Sequence, residues 1–131
     1  MVAGAATELH VPAGPIAPTL ARASVRTAAA GLPDDAAADL ALLVTEVVTN
    51  AVRHAAQGSI DDVIVRVAAD DRVRVEVVDP APTFDPPVRG EPFENRPSGW
   101  GLFLLDRLAS AWGVVPEGRG KKVWFELDPR R

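Results

Sequence analysis

Apolar positions recur at helical spacing in three stretches of the chain and alternate one by one in two others. From Ile16 to Ala30 the pattern is alanine-rich and helical, and Gly31 with Pro33 just beyond supplies the stop signals. Asp34 or Asp35 can cap a second helix, whose apolar stripe is Leu40, Val44, Val47, Val48, Ala51 and Ala55 and whose end is expected near Gly58. A third helix opens at Ser98-Gly99-Trp100-Gly101-Leu102, carries Leu102, Leu105, Leu108 and Ala109 on one face, and is expected to stop at Gly113. Val63, Val65 and Val67 alternate with Ile64 and Arg66; Val73, Val75 and Val77 alternate with Arg72, Arg74 and Glu76. With Asp70-Asp71 between them, these two stretches predict an antiparallel hairpin with one buried face. Thr7–Val11, Val114-Val115 and Val123–Leu127 read as further short strands.

Together these elements predict a two-layer α/β (α+β) sandwich, with a mostly antiparallel or mixed sheet of about five strands under three helices on one face. The 131 residues, 47% of them hydrophobic, suit one compact domain over 1–131 with a real core. Charged residues make up 24% and the net charge is −4. No basic stripe stands out, so nucleic acid is not an expected partner. The nearest basic cluster is Arg119, Lys121 and Lys122, with Arg130 and Arg131 at the tail, which fits solvated surface. Without cysteine there is neither a disulfide framework nor a thiolate metal site. No apolar run approaches the roughly 20 residues that span a bilayer. The beginning of the chain lacks the basic-then-apolar pattern of a signal peptide, so no membrane partner and a cytoplasmic location are expected.

Candidate chemistry enters on the second helix. Glu46, Asn50 and His54 are four residues apart, so their side chains stack in a column. At roughly 100° per residue, Asn50 and His54 fall beside Leu43 on the border of the apolar stripe. There a carboxylate and a carboxamide oxygen suit a hard cation such as Mg²⁺ and a hydroxyl or water to be activated. The same residue types are common on the wet flank of amphipathic helices, and spacing alone leaves both readings open.

Two further features bear on that choice. Pro80, Pro82, Pro86, Pro87, Pro92 and Pro97 exclude a helix or central strand, leaving an irregular segment of about 18 residues of the kind used as lids or binding loops. Directly after it, Gly99 and Gly101 precede a helix, where backbone N–H groups can approach a phosphate closely. Asp79 ends the second strand of the hairpin, which is expected near the sheet's centre. A carboxylate buried there needs a donor; an adenine amino group would serve, and so would a backbone amide.

The order of these pieces resembles the histidine-kinase-like ATPase superfamily with its Bergerat nucleotide fold, and within it the small anti-sigma factor serine kinases. Val-Thr-Glu-Val-Val-Thr-Asn-Ala-Val-Arg-His-Ala (44–55) is similar to that branch's first motif. Gly-Trp-Gly-Leu-Phe-Leu-Leu-Asp (99–106), with Trp112-Gly113-Val114, resembles its glycine box, and Gly120–Leu127 its closing strand. The resemblance runs from about residue 7 to residue 127.

By that resemblance the chain would bind ATP and Mg²⁺. Asn50 would coordinate the metal across the phosphates, and Glu46 would be the catalytic base toward a substrate serine. Arg53 and His54 would assist from the same helix, and Asp79 would accept from the adenine amino group. Gly99 and Gly101, with Trp100 and Leu102 in the same box, would cradle phosphate oxygens, and residues 80–98 would be the ATP lid. The implied function is an anti-sigma regulatory factor that phosphorylates a serine of an anti-sigma factor antagonist and sequesters a sigma factor. Members of this branch are often homodimers, with the first strand and helix as the expected contact or sigma-binding region.

The chain departs from the family on the adenine side. Ala81 and Thr83 stand where the family's box usually has glycines, and neither takes a positive φ comfortably. Lys122 stands where relatives often have a threonine, and lysine cannot accept a hydrogen bond. A weakened kinase and a non-catalytic protein that acts by binding partners are both consistent with these changes.

Overall fold

The hairpin expected around Asp70-Asp71 forms the middle of an antiparallel sheet. A computed structural model describes residues 5–55, 62–79, 100–118 and 120–129. Along the chain they form β1 (Ala5–Val11), α1 (Ala17–Ala28), α2 (Asp34–Ala55), β2 (Val63–Ala69), β3 (Val73–Asp79), α3 (Trp100–Leu108), β4 (Ala111–Glu117) and β5 (Gly120–Leu127). The strand order is β1-β2-β3-β5-β4, and every neighbouring pair is antiparallel. β3 is therefore the central strand, as the position of Asp79 required.

Strand alternation divides the sheet into two chemically distinct faces. Val65, Val77 and Val123 lie in register on one face, as do Val67, Val75 and Phe125. This face and the helices above it build the core, with Leu43, Val44, Val48, Leu105 and Phe125 fully enclosed. The other face carries Glu8, Arg66, Glu76, Arg74, Lys122, Trp124 and Glu126. Arg66 reaches Glu8 at 3.0 Å and Glu76 at 3.4 Å; Arg74 reaches Glu126 at 3.0 Å and lies 4.4 Å from the Trp124 ring centroid.

The helices form where their apolar stripes meet that core. α1 buries Ala17, Ala21 and Val25 and carries a proline in its first turn, where the missing N–H costs nothing. Gly31, at φ 96°, makes the turn into α2, a conformation that a side chain would strain. Asp34 and Asp35 sit in the first turn of α2, where the helix dipole favours negative charge. The two helices are tied by a hydrogen bond from Arg22 to the Thr45 hydroxyl, 2.9 Å.

Two sequence expectations need correction. α3 does not run to Gly113 but ends at Leu108, because the Ser110 amide already donates to the Glu126 carbonyl at 2.8 Å and begins the pairing of β4 with β5. Gly113 is instead inside β4, opposite Trp124, and its bare α-carbon admits the indole. The strand expected at Val114-Val115 extends over Ala111–Glu117. The expected end of α2 near Gly58 and the lid at 80–98 lie outside the described residues.

Candidate functional site

α2 brings the predicted column to the edge of the core. Glu46 and Asn50, three and seven residues after Leu43, are both half-buried. Leu43 itself, placed on the border by angular counting, is fully enclosed, so the core reaches further round the helix than the stripe indicated. Glu46 and Asn50 thereby stand at the true boundary between packed core and solvent. Arg53 is exposed one turn beyond Asn50's level, and His54 follows within the helix, its side chain outside the described ones.

α2 packs against β3, and β3 ends in Asp79, the buried charged residue of the described core at 1% exposure. Among the described residues this carboxylate meets a partner that the sequence reading did not name. The Lys121 ammonium lies 3.2 Å from Asp79 Oδ2, reached from the neighbouring position on β5. A buried carboxylate without a compensating charge would cost roughly several kcal/mol, and this ion pair offsets part of that cost.

Lys121, not Lys122, is therefore the lysine on the Asp79 side. Lys122 points to the opposite face, 3.4 Å from Glu76 and 3.8 Å from Glu117. The expectation that Lys122 alters the adenine-side network fails on strand parity. Lys121 shares a face with Val123, Phe125 and Leu127, whereas Lys122 shares one with Trp124 and Glu126. That parity was available in the chain, since the apolar members of the closing strand are the odd-numbered ones apart from Trp124.

Charge on the outer face is arranged differently. Burial pushes the Glu76 carboxyl up, but the hydrogen bond from Arg74 and the charges of Lys122 and Arg74 together outweigh it and hold the group below its ordinary value. The hydrogen bonds from His10 and Arg66 lower Glu8 in the same way, and Glu8 in turn raises Arg66. These groups lie on the face away from α2, and they order the sheet without reaching the Glu46–Asn50 border.

Trp100, Gly101 and Leu102 form the first turn of α3, so a helix does begin at the glycine pair. Their side chains, Gly99, Ala81 and Thr83 lie outside the described residues. α3 packs on α2, and the Trp112 indole N–H ties β4 to it through Asp106 at 3.2 Å. α3 and β3 thus both pack on α2, the helix that carries Glu46 and Asn50.

Residues 11–127 match the family model described as the histidine kinase-like ATPase domain. The chain belongs to that family. Within the histidine kinase-like ATPases it is 34% identical to the serine-protein kinase RsbW of Listeria monocytogenes, over 76% of this chain and 73% of the relative. It is 36% identical to an uncharacterized protein of Streptomyces coelicolor, over 63% of this chain and 79% of that one. These matches place it in the RsbW-like, anti-sigma kinase branch. The fold agrees with a crystal structure of the RsbU and RsbW domains of a Mycobacterium tuberculosis protein, with a TM-score of 0.69 at 23% identity. That likeness covers 94% of this chain, which spans 31% of the larger protein. Among the described residues no helix is long and apolar enough to cross a membrane.

Proposed function

We propose that this histidine kinase-like ATPase binds Mg-ATP and phosphorylates a serine of an anti-sigma factor antagonist. The observation that supports it most is the placement of Glu46 and Asn50, half-buried at the edge of the core on α2, the helix that packs on the strand ending in the buried Asp79. Phosphoryl transfer asks little covalent chemistry of a protein and depends on positioning and charge neutralisation.

The donor set fits a hard metal. Asn50 offers a neutral oxygen at a half-buried site, and Mg²⁺ takes one or two protein oxygens together with water and phosphate. Among the described residues no three His, Cys, Asp or Glu side chains gather around a common point, so Asn50 would hold the metal in company with the nucleotide. When bound, Mg²⁺ neutralises charge on the phosphates. Glu46 takes the proton of the attacking serine hydroxyl, and Arg53 and His54 add positive or hydrogen-bonding groups beside it. Asp79 would orient the base, and by the resemblance Gly99, Trp100, Gly101 and Leu102 would serve the phosphates and Ala81 the base.

The same reading makes the chain a cytoplasmic regulator that holds a sigma factor in one state and its antagonist in the other. β1 is an edge strand, and Ile16 and Leu20 at the start of α1 are exposed, which supports this end as the surface for a partner or a second copy. A second reading, partner capture without catalysis, draws on the Asp79–Lys121 pair, because a base must share Asp79 with a resident cation.

Calorimetric titration of Mg-ATP into the native chain and Asn50→Ala tests the first reading. Binding should weaken in the variant by about tenfold or more, the loss typical of removing a group that supports a bound metal. No heat on the native chain at millimolar nucleotide would end the ATP reading and leave partner capture.

A further inference from the structure

A groove of about 320 Å³ opens between the second half of α1 and the first half of α2. Its lining includes the buried Val25, Leu40 and Val44, with Ala37, Ala38 and Ala41 along the α2 side. The lining runs from Arg22 to the end of α1 and from Ala37 to Val44 on α2, about two turns of each helix. Short alanine side chains leave room there for the apolar face of a third helix.

The α1 side of the groove is charged. Arg22 and Arg26 both line it, four residues apart and so one turn apart on the same face. Arg22 donates to the Thr45 hydroxyl at 2.9 Å and the Thr19 hydroxyl at 3.3 Å, which fix the guanidinium without matching its charge. Arg26 is exposed. Asp34, Asp35 and Asp39 on α2 stay beyond ion-pair reach, and neither arginine has a carboxylate partner among the described residues. The arginines of the sheet are arranged otherwise: Arg66, Arg72 and Arg74 each lie within 3.5 Å of a glutamate oxygen.

We propose that this groove docks an amphipathic helix of a partner protein. Its apolar side chains lie over Val25, Leu40 and Val44, and two of its carboxylates, four residues apart, meet Arg22 and Arg26. Two cations one turn apart call for two anions at the same spacing. A helix presents them at i and i+4, whereas a single-headed amphiphile carries only one. Ile16 and Leu20 lie outside this groove, and its occupancy does not depend on nucleotide.

Fluorescence anisotropy with a labelled synthetic helix of about 15 residues, added to the full chain, tests the proposal. The probe carries a leucine stripe bordered by two glutamates four apart, and a control probe has glutamine at both places. The glutamate probe should saturate near or below about 100 μM, with the control about tenfold weaker, the size of two exposed ion pairs. Arg26→Glu sets like charges together and should weaken the glutamate probe by about tenfold or more. Ala38→Trp fills the groove and should abolish binding; both positions are exposed, so neither change enters the core. Equal binding of the two probes, no binding of the glutamate probe at about 1 mM, or indifference to Ala38→Trp overturns the proposal. Saturable binding of decanoate with none of the glutamate probe makes the groove a small-amphiphile site and overturns the helical partner.

Discussion

Gly113 and Trp124 face each other across β4 and β5 so closely that a Cβ on Gly113 would stand 2.7 Å from the indole Nε1. The indole cannot easily retreat, because the Arg74 guanidinium lies over its ring. Gly113→Ala should therefore destabilise the protein by about 1–3 kcal/mol, the usual cost of overpacking. The midpoint of urea unfolding measures this, and a midpoint equal to that of the native chain would show that the ring moves freely.

The Asp79–Lys121 pair should be worth far more to the fold than the pairs on the outer face. Lys121→Met removes a counter-charge from a buried carboxylate and should cost about 2–3 kcal/mol, below the full value for a sealed pair because the lysine is partly exposed. Asp79→Asn combined with Lys121→Met should cost less than the sum of the two single changes by about 1–3 kcal/mol. Strict additivity in that cycle would mean that the two groups do not interact in solution.

Glu76 should make stability depend on acid. Its carboxyl titrates below the ordinary 4.5 in the folded chain, so its contribution is complete above that value and is lost as pH falls through the lowered one. The melting-temperature difference between the native chain and Glu76→Gln should be constant near neutrality and shrink below about pH 4.5. A difference that stays the same down to pH 3 or so would remove the assigned role of Arg74 and Lys122.

Loss of the proposed base should separate binding from chemistry. Glu46→Gln keeps the shape of a half-buried side chain on α2 and should leave nucleotide affinity nearly unchanged. Transfer of labelled phosphate to the antagonist should fall by roughly a hundredfold or more, as expected when a general base is removed. Transfer at the native rate would reassign the proton to another group.

Much of this architecture was open to reading from residue order. The period-two valines predicted β2 and β3, and their antiparallel pairing followed from the short Asp70-Asp71 link. The column of Glu46 and Asn50 was set by spacing on one helix, and the structure places both at the edge of the core. Angular counting erred by one position at Leu43, because the width of a buried stripe depends on what packs over it and not on the helix alone.

Local pattern determined the type of each element and which of its positions face inward, since periodicities of 3.6 and 2 are properties of a single segment of backbone. Tertiary structure alone decided that β5 lies between β3 and β4, that Gly113 serves an indole instead of ending a helix, and that Lys121 answers Asp79. Asp79 and Lys121 are 42 positions apart in the chain. Their meeting depends on strand register, a long-range choice made by the burial of the whole valine-rich face, and only once that face is closed does a single lysine become the partner of a single buried acid.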